Sequence, residues 1–181
     1  MLRQTYFIIT SAAFAALSAT ASGPGMQTAK PVPEALKAPA DQVLAFELQA
    51  TGVQIYECRA RKEDPAQFEW VFKAPEADLF DGSGQRVGKH YGGPTWESPD
   101  GSKVVGEVKA KDTSRPAGSI PWLLLSAKTN SVEGVFARVR SIQRLDTSGG
   151  AAPAEGAVKA KAGQEIRVPY EATYAFYVTS P

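Results

Sequence analysis

The stretch that decides the fold class is FEWVFKA, residues 68–74. Its aromatic residues and Ala74 occupy every second position, and the charged Glu69 and Lys73 lie between them. Successive side chains of a β-strand point to opposite faces of the sheet. The alternation therefore predicts a half-buried strand.

The same period of two appears on the N-terminal side of this stretch. Residues 43–60 alternate, and Thr51-Gly52 in their middle predicts a hairpin. Further along, residues 122–125 are continuously apolar, as expected of a strand that is covered on both faces.

The C-terminal part of the chain continues the pattern. Val135, Ala137 and Val139 alternate with Arg138 and Arg140, and a phase slip before Ile142 indicates a β-bulge. Residues 166–178 place an apolar side chain at nearly every second position. Because proline has no N–H to donate, Pro169 is expected to bend this last strand or to place it at a sheet edge.

Turn signals separate these segments, and no amphipathic helix of about ten residues or more is predicted in the region after the N-terminal leader. Residues 81–84 and 99–101 are the clearest turns. We therefore expect an all-β domain, built as a β-sandwich or a partly open β-barrel.

The N-terminus has the pattern of a secretory signal peptide. Arg3 precedes an apolar run from Tyr6 to Leu17, and Ala19-Thr20-Ala21 fits the small-x-small cleavage pattern. This predicts a signal peptide at residues 1–21, a lead-in rich in Pro, Ala and Gly at residues 22–42, and a single β domain at residues 43–181. A retained N-terminal anchor is the alternative.

Export sets the expected compartment and partners. The cleaved protein would be periplasmic or secreted, with no membrane span, since its remaining apolar runs are too short to cross a bilayer. It would carry 19 basic and 19 acidic side chains, because Arg3 leaves with the signal peptide. Balanced charge gives no reason to expect a nucleic acid partner. A small molecule or a component of the cell envelope is the expected partner.

Cys58 is the single cysteine, so the chain has no internal disulfide. It alternates with Tyr56 and Ala60 on one face of a predicted strand, and free cysteine is usually a small buried apolar residue. We expect Cys58 to be buried. An exposed thiol that pairs between chains is the alternative.

Four stretches together resemble a known family, that of domain of unknown function 3455, which consists of exported bacterial and fungal proteins. The block that starts at Gly88 is the most specific of them. The stretches are GVQIYEC at 52–58, GKHYGGPTWE at 88–97 followed by Asp100-Gly101-Ser102, PWLL at 121–124 and VPY at 168–170.

The resemblance covers residues 32–178 and implies one domain, but it brings no established activity. Family members often have a second cysteine where this chain has Gly156-Ala157-Val158. The resemblance thus implies that Cys58 lacks its usual partner here.

Residues 88–101 are predicted to form a surface site. They combine glycines and prolines with His90, which is the only histidine of the chain, and with Tyr91, Trp96 and Glu97. These four are the predicted ligand-binding residues. His90, Glu97 and Asp100 are the candidates for catalysis, although strand alternation would place His90 and Glu97 on opposite faces unless a bulge intervenes. A histidine bonded to the backbone is the alternative.

Neither a metal nor a cofactor is expected. One histidine and one buried cysteine are too few for a zinc site. A mixed site of His90 with Asp78, Asp81, Glu97 or Asp100 is the alternative. The glycines at 82, 84 and 88 do not have the spacing of a phosphate-binding loop, and no Gly-x-Ser-x-Gly motif is present.

The sequence favours a non-catalytic exported domain that acts as a binding or structural module. The three tryptophans have different expected positions. Trp70 and Trp122 are expected in the core, and Trp96 is expected at the mouth of a pocket, where a ligand would contact it. A small hydrolase or lyase that uses His90 with Glu97 or Asp100 is the alternative function.

Overall fold

The computed structural model describes residues 31–114 and 116–181. The predicted signal peptide and the first part of the lead-in lie outside these residues. Residues 32–181 form one compact unit. Within the described ranges, no helix has the length and apolar character needed to cross a membrane.

Eight antiparallel strands form a single sheet that closes on itself. Each strand pairs with the next, and β1 also pairs with β8 from Gln42 to Glu57. The all-β prediction is confirmed, and the architecture is a barrel that this last pairing closes. The strands are β1 (Gln42–Ala60), β2 (Phe68–Phe80), β3 (Arg86–Tyr91), β4 (Thr95–Glu97), β5 (Lys103–Asp112), β6 (Trp122–Asn130), β7 (Val139–Gly149) and β8 (Glu165–Thr179).

One half of the barrel interior, here called the packed half, is filled by apolar side chains. The ring of Phe176 lies 4.8 Å from that of Phe46 and 5.2 Å from that of Phe136, measured between centroids. Leu79 and Ile142 complete the packing and are fully buried. Inward-facing side chains of a small barrel normally fill its interior in this way.

A 3-10 helix from the lead-in, Glu34–Leu36, covers the outside of the barrel. Leu36 is fully buried and packs with Trp122 and Leu145. Gln143 Nε2 donates a hydrogen bond to the Leu36 carbonyl, with 2.5 Å between N and O. This cover explains the continuous apolar run at residues 122–125, because both faces of β6 are buried there. A second 3-10 helix, Lys159–Lys161, precedes β8.

The predicted hairpin at Thr51-Gly52 is wrong. β1 runs through these residues unbroken and pairs with β2 on one side and with β8 on the other. A Cβ at Gly52 would lie 2.2 Å from the carbonyl oxygen of Glu76. Glycine therefore serves the close approach of two strands, one of the roles that glycine takes within a strand.

The strand expected from Val135 onward is also partly wrong, because β7 begins only at Val139. Phe136 instead enters the packed half from a turn. The other local predictions hold: turns close β2 to β3 and β4 to β5, and a register shift precedes Ile142. Pro169 lies one residue beyond the last pair of β7 with β8, at an edge.

Cys58 is buried, as expected, with 1 % of its surface exposed. Its thiol donates to the carbonyl oxygen of Val158 at 3.6 Å. Val158 belongs to the segment where the family resemblance implies a second cysteine. The contact shows that this segment packs directly against Cys58.

Candidate functional site

The short β3–β4 hairpin positions the predicted site residues on two different faces. His90 pairs with Trp96, and Lys89 pairs with Glu97, with no bulge between them. Because side chains alternate along a strand, His90 and Trp96 point into the barrel, whereas Tyr91 and Glu97 lie on its outer surface. The predicted surface site is thus divided by the wall of the barrel.

His90 is a buried, uncharged group inside the barrel, with 2 % of its surface exposed. Its Nδ1 lies 2.9 Å from the carbonyl oxygen of Thr95. A carbonyl can only accept, so Nδ1 carries the proton and Nε2 the lone pair. The ring stacks on Trp96, with 4.5 Å between centroids. Burial lowers the pKa of His90 to about 3, and the charge of Arg144 acts in the same direction.

Glu97 belongs to a polar cluster on the outside of the barrel. It accepts a hydrogen bond of 2.7 Å from the Tyr91 hydroxyl, and Lys103 and Lys89 lie 3.3 and 3.6 Å away. The hydrogen bond from Tyr91 contributes most to lowering the pKa of Glu97, and Lys103 adds to it. These contacts occupy the carboxylate on the side away from His90.

Asp100 stabilises the turn between β4 and β5. One carboxylate oxygen accepts from the backbone N–H and the hydroxyl of Ser102, at 2.8 and 2.6 Å. The other accepts from the N–H of Val135 at 3.1 Å. These hydrogen bonds lower the pKa of Asp100 to about 2. The structure therefore does not bring His90 together with either Glu97 or Asp100.

The second half of the barrel interior, here called the cavity half, contains an open cavity of about 360 Å³. This volume lies in the range of small-molecule sites. Its lining is mostly apolar, with a few polar groups among the aromatic and aliphatic ones. The lining residues are Gln54, Tyr56, Phe72, Lys73, Pro75, His90, Gly93, Pro94, Trp96, Val108, Ile120, Pro121, Leu123, Leu125, Arg144 and Tyr174.

The cavity opens between β2 and β5. β2 pairs with β3 only from Glu76 to Phe80, and β5 pairs with β4 only from Lys103 to Val105. The short β3–β4 hairpin thus leaves a window in the wall, bounded below by its turn at Gly93. Phe72 and Val108 flank this window and are 52 % and 50 % exposed.

Three residues that line the cavity have buried polar atoms without a hydrogen-bond partner in the described part of the chain: Gln54 Nε2, Trp96 Nε1 and the Tyr174 hydroxyl. Tyr170 and Arg144 lie close enough to Tyr174 to affect its pKa, and Gln54 lies close enough to Tyr170 to affect the pKa of Tyr170. None of these contacts meets the geometry of a hydrogen bond. An unpaired buried polar group costs about 1–3 kcal/mol, so such groups normally have a partner.

Arg144 brings a positive charge to the cavity. Its Nε donates to the carbonyl oxygen of Pro121 at 3.0 Å, which orients the guanidinium. The charge acts on the pKa values of His90, Tyr56 and Tyr174, so it lies close to all three. Among residues 31–114 and 116–181, no carboxylate lies within ion-pair distance of Arg144.

Sequence reasoning identified two of the cavity residues, His90 and Trp96, and missed Gln54, Arg144 and Tyr174. The missed signal is polarity at inward positions: Gln54 lies between two aliphatic residues, and Arg144 follows Ile142 by two positions. No group of three or more His, Cys, Asp or Glu side chains suited to a metal ion occurs in the ranges that the structure describes.

The chain belongs to the family described as "Protein of unknown function (DUF3455)", whose model matches residues 39–178. This agrees with the resemblance seen in the sequence, and the match spans every residue that lines the cavity. Neither a curated protein nor a solved structure matches the chain. Inferences about function therefore depend on the geometry of the barrel interior.

Proposed function

We propose that this protein is a non-catalytic binding module that holds a small molecule in the cavity half of its barrel. The observation that carries the proposal is the set of unpaired buried polar atoms on Gln54, Trp96 and Tyr174 around an open, mostly apolar cavity. A ligand that fills the cavity and pairs with these atoms removes their desolvation cost. An apolar wall with a few placed polar groups is the usual composition of such a site.

Binding accounts for the site better than catalysis does. A histidine that acts as general base is normally tuned toward the working pH, whereas burial holds the pKa of His90 at about 3. The hydrolase or lyase alternative needs a carboxylate beside the imidazole. The register of β3 with β4 keeps Glu97 on the opposite face, and Asp100 is engaged in its turn.

The proposal includes export to the periplasm or the medium, which rests on the signal-like residues 1–21. The ligand would then be a small molecule or a cell-envelope component found there. Intact-mass measurement of exported protein tests this part. A chain that begins at Ser22 is expected, and exported material that retains Met1 would contradict it.

The binding proposal is tested with a neutral fluorescent probe, N-phenyl-1-naphthylamine, whose emission rises in an apolar site. We expect saturable binding of one probe per chain. Leu123→Trp places a larger side chain into the cavity and should abolish binding. Val132→Trp adds the same group at a position that is 96 % exposed and should leave binding unchanged. Circular dichroism verifies that both variants are folded.

Two results would overturn the proposal. One is the absence of saturable binding, to the unmodified protein, of both this probe and its anionic analogue 1-anilinonaphthalene-8-sulfonate. The other is binding that Leu123→Trp leaves intact, because the probe would then occupy another surface.

A further inference from the structure

We infer that the ligand is an organic anion with a flat apolar body, whose carboxylate is held by Arg144. This inference rests on the proposed function and adds the chemical class of the ligand. It follows from the kind of polar groups in the cavity, from their charge, and from the shape of the apolar walls.

The unsatisfied groups of the cavity are mainly hydrogen-bond donors. The unpaired indole N–H of Trp96 can only donate, and the free atom of Gln54 is its amide nitrogen. The guanidinium of Arg144, which also lines the cavity, can likewise only donate. Donors on the wall require acceptors on the ligand. A carboxylate has two oxygens that accept only, so it satisfies several of these groups at once.

The charge of the cavity selects an anion. Two cationic side chains line it, Lys73 and Arg144. Lys73 forms an ion pair with Glu165, the first residue of β8, so its charge is balanced. Arg144 has no such partner among the residues that the structure describes, and no Asp or Glu lines the cavity. A partly buried cation without a counter-ion is costly, and a carboxylate matches the geometry of a guanidinium.

The remaining walls favour a planar apolar body. The stacked rings of His90 and Trp96 lie 16° from parallel, and both residues line the cavity. Leu123, Val108 and Phe72 contribute apolar surface between this pair and the window. His90 is neutral at physiological pH, so it adds no second charge beside the stacked rings. Aromatic ligands pack well against such a face.

A matched pair of probes tests the inference: 1-anilinonaphthalene-8-sulfonate and N-phenyl-1-naphthylamine. They share one aromatic body and differ by a single sulfonate, which stands in for the carboxylate. We expect the unmodified protein to bind the anionic probe at least about tenfold more tightly, as for one charge-assisted contact. In competition, 1-naphthoate should displace the probe and 1-naphthamide should not.

Variants locate the preference. Arg144→Gln should bind the two probes equally, because it removes the charge and leaves the apolar walls. Arg144→Lys keeps the charge without the planar fork and should retain a reduced preference. Arg140→Gln makes the same charge change on the same strand at an exposed residue that does not line the cavity. It should behave like the unmodified protein.

The outcomes separate this inference from the proposed function. The inference of an anionic ligand held by Arg144 is wrong if the unmodified protein binds both probes equally, or if the preference for the anionic probe survives Arg144→Gln. Neither result contradicts the proposed binding module. Binding of neither probe overturns both. The comparison of the two probes on the unmodified protein does not depend on the folding of any variant.

Discussion

The two halves of the barrel interior are formed by the same strands, but they differ in how their side chains pack. On β8, Phe176 belongs to the packed half and Tyr174, two positions earlier, to the cavity half. On β7, Ile142 and Arg144 are divided in the same way. In the packed half the rings of Phe46, Phe136 and Phe176 are in contact and carry no polar atom. In the cavity half the side chains leave an open space with unpaired donors.

Under the proposed function, the packed half stabilises the barrel and the cavity half holds the ligand. Close packing without voids supplies most of the stability of a small domain. Unpaired polar atoms and a cavity reduce stability, and such features are typical of functional sites. Substitutions in the two halves should therefore have different consequences for stability and for ligand binding.

Phe176→Ala should cause the largest loss of stability. The side chain is fully buried and contacts the rings of Phe46, Phe136 and Trp96. Truncation of a buried phenylalanine costs about 3–5 kcal/mol through lost burial and the void that remains. Urea denaturation measures the free energy of unfolding. A loss below about 1 kcal/mol would show that the packed half does not dominate stability.

Acid should destabilise the fold through His90 in the cavity half. Its pKa is about 3 in the folded state, against 6.5 for an unperturbed histidine, so between these values the unfolded chain binds a proton that the folded chain does not. The stabilising contribution is therefore fully present above pH 6.5 and is lost as the pH falls toward 3. Between pH 6.5 and about 4.5 the loss should be about 2 kcal/mol.

His90→Gln provides the comparison for this effect, because glutamine does not titrate. Arg144 and Tyr174, which face His90, remain in both proteins, as do all carboxylates. Urea denaturation over the same pH range should show a shallower slope for the variant. Parallel curves for the two proteins would show that His90 is not buried in its neutral form.

Tyr174→Phe should have a small effect on stability, in contrast to the change at Phe176. The hydroxyl is buried without a hydrogen-bond partner in the described ranges, so its removal should raise the free energy of unfolding of the unliganded protein by about 1 kcal/mol. Binding of 1-anilinonaphthalene-8-sulfonate should weaken, because one polar contact with the ligand is lost. A large loss of stability would show that the hydroxyl is paired in solution.

Glu97→Gln should have the smallest effect. Its carboxylate contacts Tyr91, Lys89 and Lys103 on the outer surface, where solvent and salt screen ion pairs. The urea midpoint and the affinity for both probes should match those of the unmodified protein. A loss of probe binding would place the ligand on the outer face of the β3–β4 hairpin and not in the cavity.

Local patterns were sufficient for most of the strands. The alternation at residues 68–74 and 166–178, and the turns at residues 81–84 and 99–101, appear in the structure where they were predicted. The burial of Cys58 followed from its strand position. These features depend on neighbours within a few residues, so one sequence contains enough information to predict them.

The candidate site was only partly predictable. The block around His90 was singled out by composition, and strand alternation already indicated that His90 and Glu97 would face apart. The position of His90 inside the barrel was not predicted, nor was the position of Gln54 and Arg144 in the wall of the cavity. These residues lie on distant strands, and only their pairing around the barrel brings them to the same cavity.

By itself, the sequence determined which family this chain belongs to and that it forms strands, because alternation and turn chemistry act locally. Only the tertiary structure decided that β1 continues through Gly52, that β1 and β8 close the barrel, and that the short β3–β4 hairpin leaves a window in its wall. These features depend on which strands pair and how far each pair extends. A two-residue period records that a side chain faces inward, but not whether the space it faces is filled by Phe176 or left open beside Arg144.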